Sequence, residues 1–209
     1  MAAPHTARGG RDHWDEIWNE RDPTEVSWYQ PAPSIDLITA RASPADPVMD
    51  VGAGSSAVVD RLLDAGFTDL TAMDISHAAL AVSRRRLGVR ADRVRWIAAD
   101  VLTFVFDRRY RVWHDRAVFH FLVHPADRTR YVDQVAAALL PGGYLVLSTF
   151  GPRGPETCSG LPVQRYGTDD MVNALGARFY LEAYAEEMHT TPAGTDQQFA
   201  VGVFRAQEV

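Results

Sequence analysis

Two glycines, Gly52 and Gly54, lie between an apolar segment, PVMDV, and a helix-like segment, AVVDRLLDAG. With Ala57 they fit the pattern G-x-G-x-x-[G/A], in which a strand turns tightly into a helix and bare backbone lets a ligand approach closely. Asp74 follows Gly54 by 20 residues, at the end of the next apolar segment. A carboxylate at that position can accept hydrogen bonds from ribose hydroxyls. The spacing therefore predicts a site for a nucleoside-bearing cofactor.

Three polar residues flank or fill the glycine-rich segment. Asp50 lies inside the preceding apolar segment, where its carboxylate can orient the loop and a cationic ligand or serve as a structural acid. Ser55 and Ser56 follow Gly54, and we assign both to cofactor binding together with the loop.

A second acidic residue, Asp100, ends the third apolar segment, WIAADV. Its carboxylate can accept a hydrogen bond from an adenine amino group, with Val101 packing nearby. Ile75, directly after Asp74, completes the predicted cofactor contacts. Both a dinucleotide and S-adenosylmethionine fit this set of residues.

Asp115 and His120 are the candidate catalytic residues. Asp115 follows the apolar segment YRVWH, which should carry it to the carboxyl edge of a sheet, where open α/β proteins bind ligands. There it could accept a hydrogen bond from the cofactor's amino group or from an attacking amine, or form a salt bridge with its neighbour Arg116. His120 could act in acid–base chemistry, contact substrate, or simply pack in the core. His124 lies four residues further, but no third ligand follows at a suitable spacing, so we expect no metal.

Strand-like and helix-like segments alternate from residue 46 onward, and two alternating segments, FYLEAYAEEMH and QQFAVGVFR, follow at the end. This order predicts an α/β fold of the Rossmann-like, doubly wound kind. Its sheet should be mostly parallel and seven-stranded, with a C-terminal antiparallel hairpin. We expect residues 1–11 to form a disordered arm and residues 12–209 a single domain, with 12–45 as a helical lid and 46–209 as the core. Trp28, in SWYQP, is the predicted lid contact to the cofactor; its alternative role is to anchor the segment.

Composition excludes several chemistries. All 21 basic residues are arginine, so no P-loop lysine, Schiff-base lysine or Tyr-Lys pair exists. Cys158 is the single cysteine, which rules out an internal disulfide and a cysteine-based zinc cluster, and we expect it to be inert and buried. The net charge of −6 argues against a nucleic-acid surface. No apolar run is long enough for a membrane span and the first residues lack a signal sequence, so a cytoplasmic protein is expected.

Over residues 46–205 the chain resembles the class I S-adenosylmethionine-dependent methyltransferases. The family's glycine motif corresponds to Asp50, Gly52, Gly54 and Ser56, its ribose acid to Asp74 and its adenine acid to Asp100. Four ordered strings, HWDEIW…EVSWYQP, HDRAVFHFL, FGPRGPETCSGLPVQRY and HTTPAGTDQQF, are similar to the citrate synthase lysine methyltransferase group and its bacterial relatives.

The resemblance implies S-adenosylmethionine as cofactor and in-line methyl transfer to a nucleophilic nitrogen. The acceptor that it favours is a protein lysine, and the alternative is a small molecule that is methylated on oxygen, sulfur or nitrogen. An NAD-type oxidoreductase and a non-catalytic cofactor-binding protein are the remaining readings. The oligomeric state stays open.

Overall fold

The computed structural model describes residues 8–20, 22, 25–26 and 34–207. Nine strands occur in these ranges. They are β1 (Val48–Val51), β2 (Leu70–Asp74), β3 (Val94–Ala98), β4 (Tyr110–Arg116), β5 (Leu139–Phe150), β6 (Thr157–Cys158), β7 (Leu161–Pro162), β8 (Phe179–Thr190) and β9 (Asp196–Ala206). The described helices are α1 (Arg11–Glu20), α2 (Ile35–Thr39), α3 (Val58–Asp64), α4 (His77–Leu87), α5 (Pro125–Ala138) and α6 (Thr168–Leu175).

Seven of the strands form one sheet in the order β3-β2-β1-β4-β5-β9-β8. The five strands from β3 to β5 are parallel, whereas β9 pairs antiparallel with both β5 and β8. This confirms the predicted fold, including the C-terminal hairpin. The segment TTPAGTD joins the hairpin because its proline and glycine cannot continue a strand. β6 and β7 form a separate two-stranded hairpin after β5.

Helices cover both faces of the sheet, and each face has its own hydrophobic core. Side chains of α2, α3 and α4 pack on one face, for example Ile38, Leu62 and Leu80. Side chains of α5 and α6 pack on the other, for example Tyr131 and Met171. The central strand β1 is buried along its whole length, which explains why its sequence is an apolar run and does not alternate.

Each strand-to-helix connection on the parallel side places a loop at the carboxyl edge of the sheet. α4 begins after Ser76, whose hydroxyl accepts a hydrogen bond from the N–H of Ala79 at 3.0 Å. It ends at Gly88, as expected from the sequence, because a positive φ of +57° suits glycine. Among the described residues no helix is long and apolar enough to cross a bilayer.

The structure describes the chain from residue 8 onward, so residues 8–11 of the expected disordered arm, 1–11, are placed in it. α1 begins at Arg11, and residues 8–10 run across the sheet edge before it. Ile17 and Trp18 form the buried face of α1, as their helical spacing predicts. We refer to residues 8–20 as the N-terminal segment. Trp28 lies outside the described residues.

Candidate functional site

A cavity opens at the carboxyl ends of β3, β2, β1 and β4, the edge at which parallel α/β sheets bind ligands. It encloses about 850 Å³ of empty space, counted to its open mouth. The strand ends contribute Val51, Gly52, Met73, Asp74, Ile75, Ala99, Asp100, Val101, Arg116, Ala117, Val118, Phe121 and Leu122, and the cover contributes Arg8, Gly9, Trp14, Trp18 and Cys158.

Gly52 lines the cavity at the turn out of β1. Its φ of +64° lies in the left-handed region, and a Cβ at this position would overlap Cγ2 of Val118. Gly54 has a φ of +46°, and a Cβ there would lie 3.0 Å from the Trp18 ring. The two glycines therefore let the turn after β4 and the helix α1 close tightly on the loop.

Asp74, at the end of β2, holds the glycine loop in place. One carboxylate oxygen accepts the N–H of Gly54 at 2.9 Å, and the other accepts the N–H of Ser76 at 2.8 Å. Burial raises the pKa of this carboxyl to about 6, although both hydrogen bonds oppose the shift. Asp74 also lines the cavity, so it contacts the glycine loop and borders the space in which a ligand would lie.

Asp100, after β3, forms an ion pair that the sequence does not reveal. Arg8 donates to both of its carboxylate oxygens at 2.9 Å, and the N–H of Leu102 donates to Oδ1 at 3.0 Å. The pair is largely buried, with side-chain exposures of 10% for Arg8 and 20% for Asp100. Because the partners are 92 residues apart in sequence, no local pattern could have indicated this contact.

Three residues of the predicted cofactor set lie behind the loop and do not line the cavity. Asp50 is buried, and its Oδ1 lies 2.7 Å from Nδ1 of His114. The backbone carbonyls of Ser55 and Ser56 accept hydrogen bonds from Arg86 at 2.7 Å, on the side towards α4. The Ser56 hydroxyl accepts the N–H of Val58 at the start of α3. These contacts shape the loop. The direct cofactor contacts predicted for Asp50, Ser55 and Ser56 stay a prediction.

Asp115 does not belong to the cavity lining either. It is fully buried under the cavity wall, where Oδ1 accepts the N–H groups of Val118 and Phe119 at 2.9 and 3.4 Å. Oδ2 accepts the hydroxyl proton of Tyr131. Burial raises the pKa of this carboxyl to about 6. In this arrangement Asp115 fixes the turn that follows β4. Its predicted contact with the cofactor or with an attacking amine stays a prediction.

His120 lies in the short 3₁₀ turn Phe119–Phe121 and packs between the rings of Phe121 and Phe150. Its Nδ1 accepts the N–H of Phe150 at 3.3 Å. Burial and the nearby charge of Arg116 lower the pKa of His120 to about 3, so the ring is a weak base. The ring is fully buried and does not line the cavity, an environment that favours the packing role among the alternatives for His120. Its predicted catalytic role stays a prediction.

The N-terminal segment closes one side of the cavity. Asp15 accepts hydrogen bonds from the Ser76 hydroxyl at 2.5 Å and from the N–H of Ala78 at 3.1 Å, which fastens α1 to the start of α4. Trp14 meets Phe121 edge to face at 5.1 Å between ring centroids. Trp18 covers Gly54. The sequence indicated Trp18 only as an apolar position of a helix, because helical spacing does not say which surface the helix covers.

The structure brings five of the predicted site residues together on the cavity wall: Gly52, Asp74, Ile75, Asp100 and Val101. Gly54 supports the wall through its hydrogen bond to Asp74. Residues 8–20, 22, 25–26 and 34–207 contain no cluster of three or more histidine, cysteine or acidic side chains arranged to hold a metal ion.

Comparison with known proteins gives three kinds of match: curated relatives, solved structures and a family model. The mouse protein "eEF1A lysine and N-terminal methyltransferase" is 24% identical over 149 residues, which cover 67% of this chain and 21% of that protein. The Drosophila melanogaster homologue is 26% identical over 113 residues, which cover 53% of this chain and 17% of its own. The chain thus spans about a fifth of the length of these relatives.

Solved structures share the fold at lower identity. N-methyltransferase NodS from Bradyrhizobium japonicum WM9, in complex with S-adenosyl-L-homocysteine, has a TM-score of 0.71 and 16% identity, with 95% of this chain and 99% of that chain covered. A structure from work on the conversion of a disulfide bond into a thioacetal group during echinomycin biosynthesis has a TM-score of 0.75 and 17% identity, with coverages of 94% and 91%.

Residues 48–143 match the family model described as a methyltransferase domain. This range contains the glycine loop and both carboxylates of the cavity wall, so the sequence match and the site fall on the same part of the sheet. The narrower resemblance to the citrate synthase lysine methyltransferase group stays a prediction. The family model, the curated relatives and the shared fold thus agree that this chain carries a methyltransferase domain similar to the S-adenosylmethionine-dependent methyltransferases.

Proposed function

We propose that the cavity binds S-adenosylmethionine with its adenosine along the ends of β2 and β3 and its methionine part along the glycine loop. The observation that carries this proposal is the position of two cavity-lining carboxylates, Asp74 and Asp100, after neighbouring strands. Asp74 would accept hydrogen bonds from the ribose hydroxyls and Asp100 one from the adenine amino group. Because Arg8 already pairs with Asp100, the amino group must share the carboxylate with Arg8 or displace it.

The glycine loop supplies close approach for the methionine part. At Gly52 the backbone itself forms the wall, which fits a ligand that needs bare backbone. The order β3-β2-β1-β4 then directs the sulfonium towards the end of β4. We call the part of the cavity lined by Arg116, Phe121 and Cys158 the acceptor end.

When bound, S-adenosylmethionine supplies a methyl carbon that sulfur activates: the acceptor's electron pair bonds to this carbon as the carbon–sulfur pair returns to sulfur. The chain's task is to align the acceptor and to exclude water. The N-terminal segment is placed for the second task, because Trp14 and Trp18 cover the cavity from the side of β1 and β4. Asp115 would keep the turn at the acceptor end in one conformation.

Two classes of acceptor remain candidates. The names of the curated relatives favour an amine on a protein, either of a lysine or of an N-terminus. A small molecule is favoured by the cover over the acceptor end, where the N-terminal segment and β6 meet above the strand ends.

The test is transfer of labelled methyl from S-adenosylmethionine to a lysate that has been separated into protein and small-molecule fractions. We expect label in one fraction with the wild-type protein and at least about tenfold less with Gly52→Ala, whose added Cβ displaces Val118. Label in the protein fraction would support the amine acceptor. Absence of transfer to both fractions, with binding intact, would count against an enzymatic role.

A further inference from the structure

Arg116 stands at the acceptor end of the cavity, and its guanidinium carbon lies 4.6 Å from the ring centroid of Phe199 on β9. Successive residues of a strand point to opposite faces. Asp115 therefore points into the core towards Tyr131, while Arg116 points to the cavity. Because the two side chains point in opposite directions, the geometry disfavours the salt bridge between Asp115 and Arg116 that the sequence left open.

Charged and titratable groups face Arg116 from three elements. Glu187 approaches from β8, Cys158 from β6 and His120 from the 3₁₀ turn. Glu187 is exposed, so water screens much of its opposing charge. Burial lowers the pKa of Arg116 to about 10, which leaves it positively charged at pH 7. The same charge contributes to the lowered pKa of His120, which is fully buried.

We propose that Arg116 sets acceptor specificity by favouring a small molecule that attacks as an anion, such as a thiolate, a phenolate or a carboxylate. This inference rests on the proposed function and deepens it. An anionic acceptor would lie between two positive charges, the guanidinium of Arg116 and the sulfonium. A protonated amine would meet like charge from both, so a lysine could react only in its neutral form.

Alkylation of Cys158 can report the effect of the positive charge of Arg116, and this measurement does not require the acceptor to be known. Cys158 is the single cysteine of the chain, it lines the same cavity, and its side chain interacts electrostatically with Arg116. Iodoacetate and iodoacetamide alkylate a thiolate by the same displacement of iodide and differ by one negative charge. The ratio of their rates at Cys158 therefore measures how strongly the acceptor end prefers an anion.

In the wild-type protein we expect this ratio to exceed that of the urea-unfolded chain by roughly fivefold or more, the size of a single short-range charge effect in a largely buried site. Arg116→Gln should bring the ratio back to the unfolded value. Arg116→Lys keeps a positive charge and should retain most of the preference. Arg153→Gln is the matched control, because Arg153 is 77% exposed on the same loop region and lies outside the cavity wall.

Equal ratios in the folded and unfolded wild-type chain would overturn the proposal, and this comparison holds even if Arg116→Gln does not fold. A ratio that Arg116→Gln leaves unchanged, in a variant that unfolds at the wild-type temperature, would overturn it as well. The alkylation is measured without cofactor. A negative alkylation result would therefore overturn the role of Arg116 without contradicting the proposed function. Titration with S-adenosylhomocysteine tests the proposed function separately.

Discussion

Gly52 and Gly66 both have backbone φ angles in the left-handed region, +64° and +86°. Only Gly52 has a neighbour, Val118, where a Cβ would lie; Gly66 faces open space. An alanine at Gly66 therefore adds conformational strain alone, about 1–2 kcal/mol. An alanine at Gly52 adds the same strain and also displaces the cavity wall.

Gly52→Ala is expected to weaken binding of S-adenosylhomocysteine by at least about tenfold, because the Cβ occupies space that ligand or Val118 needs. Gly66→Ala should lower the unfolding temperature but leave affinity unchanged. Isothermal titration of both variants checks this pair. Equal affinities in Gly52→Ala and the wild type would show that bare backbone is not required at the turn.

Asp74 gives the site a pH dependence whose sign is fixed by its raised pKa of about 6. Ribose hydroxyls need the ionised carboxylate as acceptor, so affinity should be full above pH 7 and fall as Asp74 is protonated. At pH 5, one unit below this pKa, we expect affinity to be about tenfold weaker. Asp74→Asn should bind about 10–100-fold more weakly at pH 7 and lose most of this dependence. Parallel pH curves for the two proteins would contradict the assignment.

The predicted site residues that line the cavity share one property: their positions depend on local spacing. Gly52, Asp74 and Asp100 each follow an apolar strand, and the carboxyl ends of parallel strands meet at one edge. Asp115 and His120 also follow a strand, yet both are buried and neither lines the cavity. Burial, like the pairing of Arg8 with Asp100, depends on distant parts of the chain.

At the scale of elements, α1 decides how well the cavity is closed. It is attached through Asp15 to the start of α4 and through Trp18 to the glycine loop. Its contacts form a small hydrophobic cluster separate from the two cores of the sheet. We therefore expect α1 to influence ligand exchange more than the stability of the sheet.

Trp18→Ala should increase the dissociation rate of S-adenosylhomocysteine about tenfold, because the side chain that covers Gly54 is lost. Stopped-flow fluorescence or surface plasmon resonance would measure this rate. Glu16→Ala, an exposed position of the same helix, serves as control and should leave it unchanged. A wild-type dissociation rate in Trp18→Ala would mean that α1 does not retain the ligand.

The turn after β4 depends on Asp115. In Asp115→Asn one carboxylate oxygen becomes a donor, so the hydroxyl of Tyr131 or an N–H of the turn loses its acceptor. We expect a loss of about 1–3 kcal/mol in the free energy of unfolding, measured in urea. Tyr131→Phe removes the partner hydroxyl, and the double variant should cost less than the sum of the two single changes. Full additivity would argue that the two groups do not interact.

Most elements were predictable because their patterns are local. The parallel strands are apolar runs, the helices between them have a period near 3.6, and the C-terminal hairpin alternates. The docking surface of α1 was not predictable, since the apolar positions Trp14 and Trp18 fit any apolar surface. The hairpin β6–β7, with two residues in each strand, is too short to leave a pattern.

For the molecule as a whole, the order of the sheet arranges the site along one edge. From β3 to β4 the cavity is lined in turn by Asp100, Asp74, Gly52 and Arg116. In the proposed orientation, these residues would lie next to the adenine, the ribose, the methionine part and the acceptor, in the same order. The carboxylates of Asp74 and Asp100, the second paired with Arg8, thus lie on one side of the glycine loop, and Arg116 lies on the other.

Calorimetric titration of the wild-type protein with S-adenosylhomocysteine, and in parallel with NADH, tests the central claim most directly. The account predicts binding of S-adenosylhomocysteine in the micromolar range or tighter, about −8 kcal/mol or more favourable, and no heat of binding with NADH. Binding of NADH alone would contradict it, because the carboxylates and the glycine loop would then serve a dinucleotide.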